Sequence, residues 1–355
     1  VAFLSGGRES DVVVGLRVLQ VCLAGEVVSP GRVVLLPVAG GVDDAGLWGL
    51  ARTARLERPD VVVDCFEVAG AELARVLSVG GSVGPGSDYR LSASGDVEVL
   101  RLGRLGVGEV GGFVARGDVS YVVSGGLGAL GLATAEFLVE SGARHVVLLS
   151  RTGYTESELP AKVVELRRSA RVECFVCDVS DAGSVRRVHG AMVDAGLPAV
   201  AGVIHAAGVL TDGVLENQSG RKLNQAYGAK VRGARNLRAV FAPSDFLVLY
   251  SSAAAVFGSA GQASYSAANA TLDALARSWS DLGEPVLSVQ WGAWSEAGMA
   301  TRHQGANRAQ AAGYGTISNQ LGTQTLGHLL TTKQTGVVCV SPIDWDTYVS
   351  TTPLT

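Results

Sequence analysis

From residue 115 onward the chain repeats one unit: a short apolar run, then a stretch with helical spacing. The apolar runs lie at 119–123, 145–150, 171–177, 200–205, 246–251, 285–291 and 336–341. Helical patterns fall at 129–141, 158–170, 181–195, 220–241, 262–282 and 320–332. Strands joined by helices pair in parallel, and Val- and Leu-rich runs suit strands buried on both faces. The expected fold is therefore α/β, a Rossmann-like doubly wound parallel sheet of about seven strands. In such a sheet the ligand crevice opens at the C-terminal ends of the strands.

Residues 1–114 carry a looser version of this alternation. Val33–Pro37 and Val61–Asp64 read as strands, with a helix over 45–57 between them and a Gly-rich loop at 80–86. Asp88–Leu102 reads as a hairpin turning near Gly95-Asp96. This half has neither a phosphate-binding fingerprint nor a set of proton-transfer residues.

Composition excludes several classes. The 355 residues are 47% hydrophobic with net charge -4, acidic and basic residues being interspersed. No basic stripe suits a nucleic acid. No apolar run approaches the ~20 residues that cross a bilayer. The five cysteines are scattered without disulfide spacing, which points to a reducing, cytoplasmic setting. Cys174 and Cys177 form a CxxC, but on a strand they point to opposite faces and no second ligand pair follows. No metal site is expected. The start, Val1-Ala2-Phe3-Leu4, lacks the pattern of a signal peptide and reads as the interior of a longer polypeptide.

Gly126-Leu127-Gly128-Ala129-Leu130-Gly131 satisfies GxGxxG directly after the first of the seven runs and at the start of a helix. That context suits a dinucleotide pyrophosphate, which needs close backbone approach and a helix N-terminus. The second run ends at Ser150-Arg151, where an NAD-specific fold carries an acidic residue for the ribose 2′-OH. An arginine there suits the 2′-phosphate of NADPH.

Tyr265 and Asn269 lie one helical turn apart, so both project from one face. Ser252 closes the run Phe246–Ser252, and Lys230 lies on the preceding helix. A phenol, a hydroxyl, an ammonium and an amide gathered at strand ends can protonate a carbonyl oxygen as hydride reaches its carbon. A phenol has a pKa near ~10 and needs a nearby cation to favour the phenolate it leaves behind.

Short-chain dehydrogenases ordinarily carry lysine four residues after the tyrosine. Here that position is Asn269 and the lysine lies upstream, an exchange that resembles the ketoreductase domains of modular polyketide synthases and animal-type fatty acid synthases. Supporting strings are YVVSGGLGALG (121–131), VVLLSRTG (146–153), CDVSDAGSV (177–185), HAAGVLTDGVL (205–215), YSSAAAVFGSAGQASYSAANATLDALA (250–276) and VQWGAWSEAGMA (289–300). The match covers roughly 115–355 and, more weakly, the preceding segment.

The resemblance implies an NADPH-dependent reduction of a β-ketoacyl thioester to a β-hydroxyacyl thioester. Its partners would be an acyl carrier protein bearing the phosphopantetheine-bound chain and neighbouring synthase domains. It makes Tyr265 the proton donor, has Ser252 rather than Ser251 orient the carbonyl, and places Asn269 in the proton relay. Lys230 would serve both the phenol and the nicotinamide ribose. The cofactor set would be Ser124, Gly125, Gly126, Gly128, Leu130, Ser150, Arg151, Asp178, Val179, Ala206, Ala207 and Gly208, together with Tyr265 and Lys230. Ser124 stands where the family usually has Thr; Asp178 could instead cap the helix beginning near Asp181. His205 reads as structural. Residues 1–114 become a truncated, cofactor-free Rossmann-like structural subdomain whose usual start precedes Val1, and 115–355 the catalytic subdomain. A lid over about 295–315, bearing Met299, would close on the acyl chain.

Product hand is also implied. Leu210-Thr211-Asp212 keeps two residues of the Leu-Asp-Asp signature of D-producing (B-type) members, and Phe257 stands where the opposite type has tryptophan. Ala260 replaces a common proline, and Asp212 has a helix-capping alternative. A redox-inactive domain with an epimerase or scaffold role would ordinarily have lost one of the site residues. A free-standing carbonyl reductase would not carry residues 1–114 or the exchanged Lys and Asn.

Overall fold

The computed structural model describes residues 2–24, 32–38, 41–67, 86–92, 94, 96–106, 111–153, 155, 158–296 and 310–351. The N-terminal half forms a five-stranded sheet of β1 (Ala2–Leu4), β2 (Arg32–Leu36), β3 (Val62–Glu67), β4 (Asp88–Leu91) and β5 (Val97–Val99), in that spatial order. The first four are parallel; β5 returns antiparallel on β4 as the expected hairpin. The Gly46–Glu57 helix falls where expected, whereas β1 and the Glu9–Leu23 helix had no counterpart in the sequence reading. Val12-Val13-Val14 and Gly15 are poor helix formers, which obscures the period. Packing decides it: Val12, Leu16, Leu19 and Leu23 share one buried stripe. Of the Gly-rich stretch, 80–85 lies outside the described residues.

The larger sheet contains β6 (Ser120–Ser124), β7 (His145–Ser150), β8 (Arg171–Val176), β9 (Val200–His205), β10 (Phe246–Ser252), β11 (Val286–Trp291) and, at its edge, a strand over Gly336–Val340. Its order is edge strand, β11, β10, β9, β6, β7, β8, with every pairing parallel. The chain order reverses between β6 and β9, a topological switch point, so the crevice opens beyond these two strands. Cys174 is half-buried on β8, while Cys177 lies buried past its end and accepts a contact from the Ser184 hydroxyl at 3.7 Å.

Two expected helices differ in detail. The 158–170 pattern yields a helix only over Ala161–Leu166. The 220–241 pattern is interrupted: helices Gly220–Tyr227 and Gly233–Phe241 flank a π-helical turn at Gly228–Arg232, a form that recurs at functional sites.

The halves share a core. Leu47, Leu50, Ala51 and Ala54 join one buried cluster with Ala263, Ala267, Ala268 and Leu272 of the Ala263–Asp281 helix. Small residues let the two helices approach closely: a Cβ on Gly49 would lie 2.4 Å from the Ser266 carbonyl, next to Tyr265. The N-terminal half thus bears on the backbone that carries the phenol. Among the described residues no helix is long and apolar enough to cross a membrane.

Candidate active site

The glycine loop follows β6. Gly125 has φ +68°, and a Cβ there would lie 2.9 Å from the Ala207 backbone. On Gly126 it would meet Leu148 at 2.7 Å, and on Gly131 the Gly125 carbonyl at 2.3 Å. These three glycines satisfy the turn and the packing of helix on strand. Gly128 differs: it is exposed, a Cβ there would meet only the Gly125 carbonyl at 3.2 Å, and it begins the Ala129–Glu140 helix with no side-chain cap. The first-turn amides are therefore open to an anionic ligand, which fits a dinucleotide pyrophosphate. Leu130 is half-buried behind the loop, its carbonyl accepting from the Thr134 hydroxyl at 2.7 Å.

Ser124 faces inward. Its buried hydroxyl lies 2.6 Å from His205 Nδ1, and His205 Nε2 lies 2.9 Å from the Lys230 carbonyl. A carbonyl only accepts, so Nε2 carries the proton and Nδ1 accepts from Ser124. Desolvation, then the Lys230 charge, pushes the His205 pKa down to about 3, so the ring is neutral. His205 links the start of the glycine loop to the turn bearing Lys230, and both of its ring nitrogens are engaged.

At the neighbouring strand ends, Arg151 is exposed just past β7, and the Ser150 hydroxyl accepts from the Thr152 amide at 3.3 Å. Asp178 is exposed and accepts from the Ser180 amide and hydroxyl at 2.9 and 2.7 Å. It does not cap the next helix. Asp181 does, accepting from the Gly183 and Ser184 amides at 2.8 and 3.1 Å. The Val179 side chain is core, so any ligand contact there is through its backbone. Ala206, Ala207 and Gly208 extend β9, half-buried beside Gly125.

The serine, tyrosine and asparagine singled out in the sequence lie at the end of β10 and on the Ala263–Asp281 helix that follows it. Ser251 is buried, its hydroxyl 3.4 Å from the Asn269 carbonyl, whereas Ser252 is half-buried and accepts from the Ala254 amide at 3.2 Å. Desolvation pushes the Tyr265 phenol up; hydrogen bonds from Ser252 and Asn269 pull it back, and the Asp212 charge adds a smaller rise. Asn269 Nδ2 also holds the Tyr265 carbonyl at 2.9 Å. Ser252 and Asn269 therefore lie close enough to influence the Tyr265 phenol, with Asn269 tied to the tyrosine's own turn.

Lys230 stands apart from it. It is 3% exposed on the π-helical turn, and its ammonium donates to the Tyr250 carbonyl rather than to the phenol. Desolvation lowers its pKa to about 8, opposed by the charge of Asp273. Asp273 is itself buried and accepts from Ser288 and Gln290 at 2.6 Å each.

In the segment after β9, Leu210 is half-buried, and the exposed Asp212 accepts from Gln262 Nε2 at 3.1 Å. Asp212 caps no helix: Ser219 caps Gly220–Tyr227, accepting from the Lys222 amide at 3.2 Å. The Phe257 ring packs edge-to-face on Tyr314 and Tyr348. Met299 and the middle of the expected lid, 297–309, lie outside the described residues; Ala293–Trp294 and Thr316–Ile317, which flank them, pair as two short parallel strands. Gln218 was missed by sequence reading. Buried, it donates to the Thr211 and Gly213 carbonyls at 3.1 and 2.6 Å and accepts from Ser264 at 2.6 Å. No local pattern could have flagged a residue that acts through such contacts.

Comparison with known proteins agrees with this architecture. A family model described as the KR domain matches residues 119–296. The chain is 33% identical over 336 residues to polyketide synthase GfsB of Streptomyces halstedii, covering 89% of this chain but 6% of that protein. With 6-methylsalicylic acid synthase of Penicillium patulum it shares 32% over 279 residues, 71% of this chain and 15% of the relative. Among solved structures, PlmKR1, the ketoreductase from the first module of phoslactomycin biosynthesis in Streptomyces sp. HK803, superposes with TM-score 0.83 at 28% identity, covering 97% of this chain and 82% of that one. An A1-type ketoreductase gives 0.82 at 28%, covering 97% and 75%.

The class is thus an oxidoreductase of Rossmann-like fold that acts on keto groups and uses a nicotinamide cofactor. Within that class, the chain belongs to the KR family, the ketoreductase domains of polyketide synthases.

Proposed function

We propose that this chain reduces a β-ketoacyl thioester, carried on the phosphopantetheine arm of an acyl carrier protein, to the D-β-hydroxyacyl thioester with NADPH. The observation that carries this reading is the set Tyr265, Ser252 and Asn269 at the C-terminal end of β10, on the same edge of the parallel sheet as the uncapped helix start at Gly128. Residues 1–114 act as a structural subdomain and 115–355 as the catalytic one. NADPH, when bound, supplies the hydride. The chain's own residues do the rest. The amides after Gly128 face the pyrophosphate, and exposed Arg151 pairs with the 2′-phosphate. Ser252 donates to the substrate carbonyl and fixes its orientation. Tyr265 gives its proton to the same oxygen as negative charge develops there. Lys230 places a positive charge under β10, and Asn269 holds the tyrosine's turn and phenol in register.

A D product is the reading that Leu210, Asp212 and Phe257 support. Fold similarity does not decide the hand, since an A1-type ketoreductase matches the fold closely as well. The test is incubation with NADPH and a panel of short 3-ketoacyl thioesters, followed by chiral chromatography. D-3-hydroxyacyl product supports the reading; a predominantly L product from an unsubstituted substrate refutes the stereochemical part.

A further inference from the structure

The N-terminal half reaches the mouth of the site through one carboxylate. Glu57, last residue of the Gly46–Glu57 helix, accepts from two backbone amides more than 150 residues away in sequence: Leu215 to Oε2 at 2.6 Å and Gly261 to Oε1 at 2.7 Å. These amides belong to different walls of the crevice. Leu215 follows the segment bearing Asp212, and Gly261 lies in the turn between β10 and the helix bearing Tyr265. Three further bonds join the walls: the Gly213 amide donates to the Gly261 carbonyl at 2.9 Å, Gln262 donates to Asp212, and the Ser264 hydroxyl donates to Gln218 at 2.6 Å. Gly213 and Gly261, with φ of +145° and +80°, lie outside helix and strand in conformations that favour glycine.

We infer that Glu57 is a positioning residue that fixes the separation of these two walls, and through it the face of the ketone presented for reduction. The inference rests on the proposed ketoreductase reaction and goes beyond it, because it gives the N-terminal half a part in specificity. The chemistry suits the role. A carboxylate only accepts, and its two oxygens are matched by two amides, each bond strengthened by the full charge. Neighbouring contacts of the same helix confirm the register: the Ser259 amide donates to Thr53 Oγ1 at 3.3 Å. Gln20 holds the Leu215 carbonyl independently at 2.9 Å, so the Gly261 arm depends more heavily on Glu57.

Glu57→Gln keeps the shape but replaces one accepting oxygen with a donor that opposes an amide. Backbone hydrogen exchange in the free protein should quicken about tenfold across 258–262 and less across 213–218, as expected when a charge-assisted bond is lost. With ketoacyl thioester, KM should rise severalfold and the minor hydroxyl enantiomer should grow, while NADPH affinity stays within about twofold because the glycine loop lies on other strands. Glu57→Ala should show the same pattern more strongly, and if it does not fold, the glutamine variant carries the comparison alone. Unchanged exchange and unchanged product ratio in an active Glu57→Gln protein would overturn the inference. So would a loss of NADPH affinity equal to the loss of substrate affinity, the mark of general scaffold damage. Wild-type protein that reduces no ketoacyl thioester would overturn the proposed reaction itself, and with it the stereochemical role.

Discussion

Replacing Lys230 with methionine separates the cost of burying its ammonium from its use. The side chain is 3% exposed, and its pKa falls from 10.5 to about 8, chiefly by desolvation. At ~1.36 kcal/mol per pH unit, a fall of that size corresponds to about 3 kcal/mol. Below pH 8 the lysine is charged in both the folded and the unfolded chain, and the folded chain bears this cost in full. Between 8 and 10.5 the folded chain holds it neutral while the unfolded chain still binds the proton, so stability rises with pH. Above 10.5 the cost is gone. Methionine has no such dependence. The unfolding free energy of the wild type relative to Lys230→Met should therefore increase by about 3 kcal/mol from pH 7 to 10.5. Urea unfolding of both proteins across that range, followed by tryptophan fluorescence, measures it. The variant should meanwhile lose turnover and bind NADPH more weakly, and wild-type turnover should fall as pH rises through about 8. Parallel stability profiles would refute a buried, charged Lys230.

Tyr265→Phe should abolish reduction and leave NADPH binding nearly intact; turnover above a tenth of wild type would reject Tyr265 as proton donor. NADPH should be preferred over NADH, and Arg151→Ala should erase much of the difference by removing a contact worth about 1.5–3 kcal/mol. Equal rates with both cofactors in the wild type would remove the Arg151 assignment. Gly49→Ala would set a Cβ 2.4 Å from the Ser266 carbonyl, so the two helices must separate. We expect about 1–3 kcal/mol of lost stability and a lower kcat, read by thermal melting and steady-state kinetics.

The catalytic sheet was legible because its strands are buried on both faces and its period is long. All seven apolar runs became strands within about two residues of the expected ends. The glycine loop was legible for a different reason: Gly125, Gly126 and Gly131 answer to backbone conformation and close packing, constraints written in the residues themselves. The Glu9–Leu23 helix was not, because its β-branched run speaks for a strand and only packing against Leu47 and its neighbours decides otherwise. The interruption at Gly228–Arg232 was equally hidden, since a π-helical turn leaves the helical pattern of apolar residues largely intact. At the candidate site, the motifs indicated which residues lie at the strand ends but not their pairings. Lys230 holds the Tyr250 carbonyl, Ser124 holds His205, and Asp181 rather than Asp178 caps its helix. The first two depend on contacts between segments distant in sequence, whereas the cap is local and is decided by which aspartate directly precedes the helix.

The proposed reaction moves hydride from NADPH to a β-keto carbon, with the proton delivered by Tyr265. NADPH dideuterated at C4, incubated with a 3-oxobutyryl thioester, tests it most directly, with the product analysed by mass spectrometry and Tyr265→Phe as control. The expected product is a 3-hydroxybutyryl thioester with one deuterium at C3, formed in step with NADPH oxidation and absent from the control. A hydroxy product without deuterium, or equal deuterium incorporation by the Tyr265→Phe protein, would contradict it.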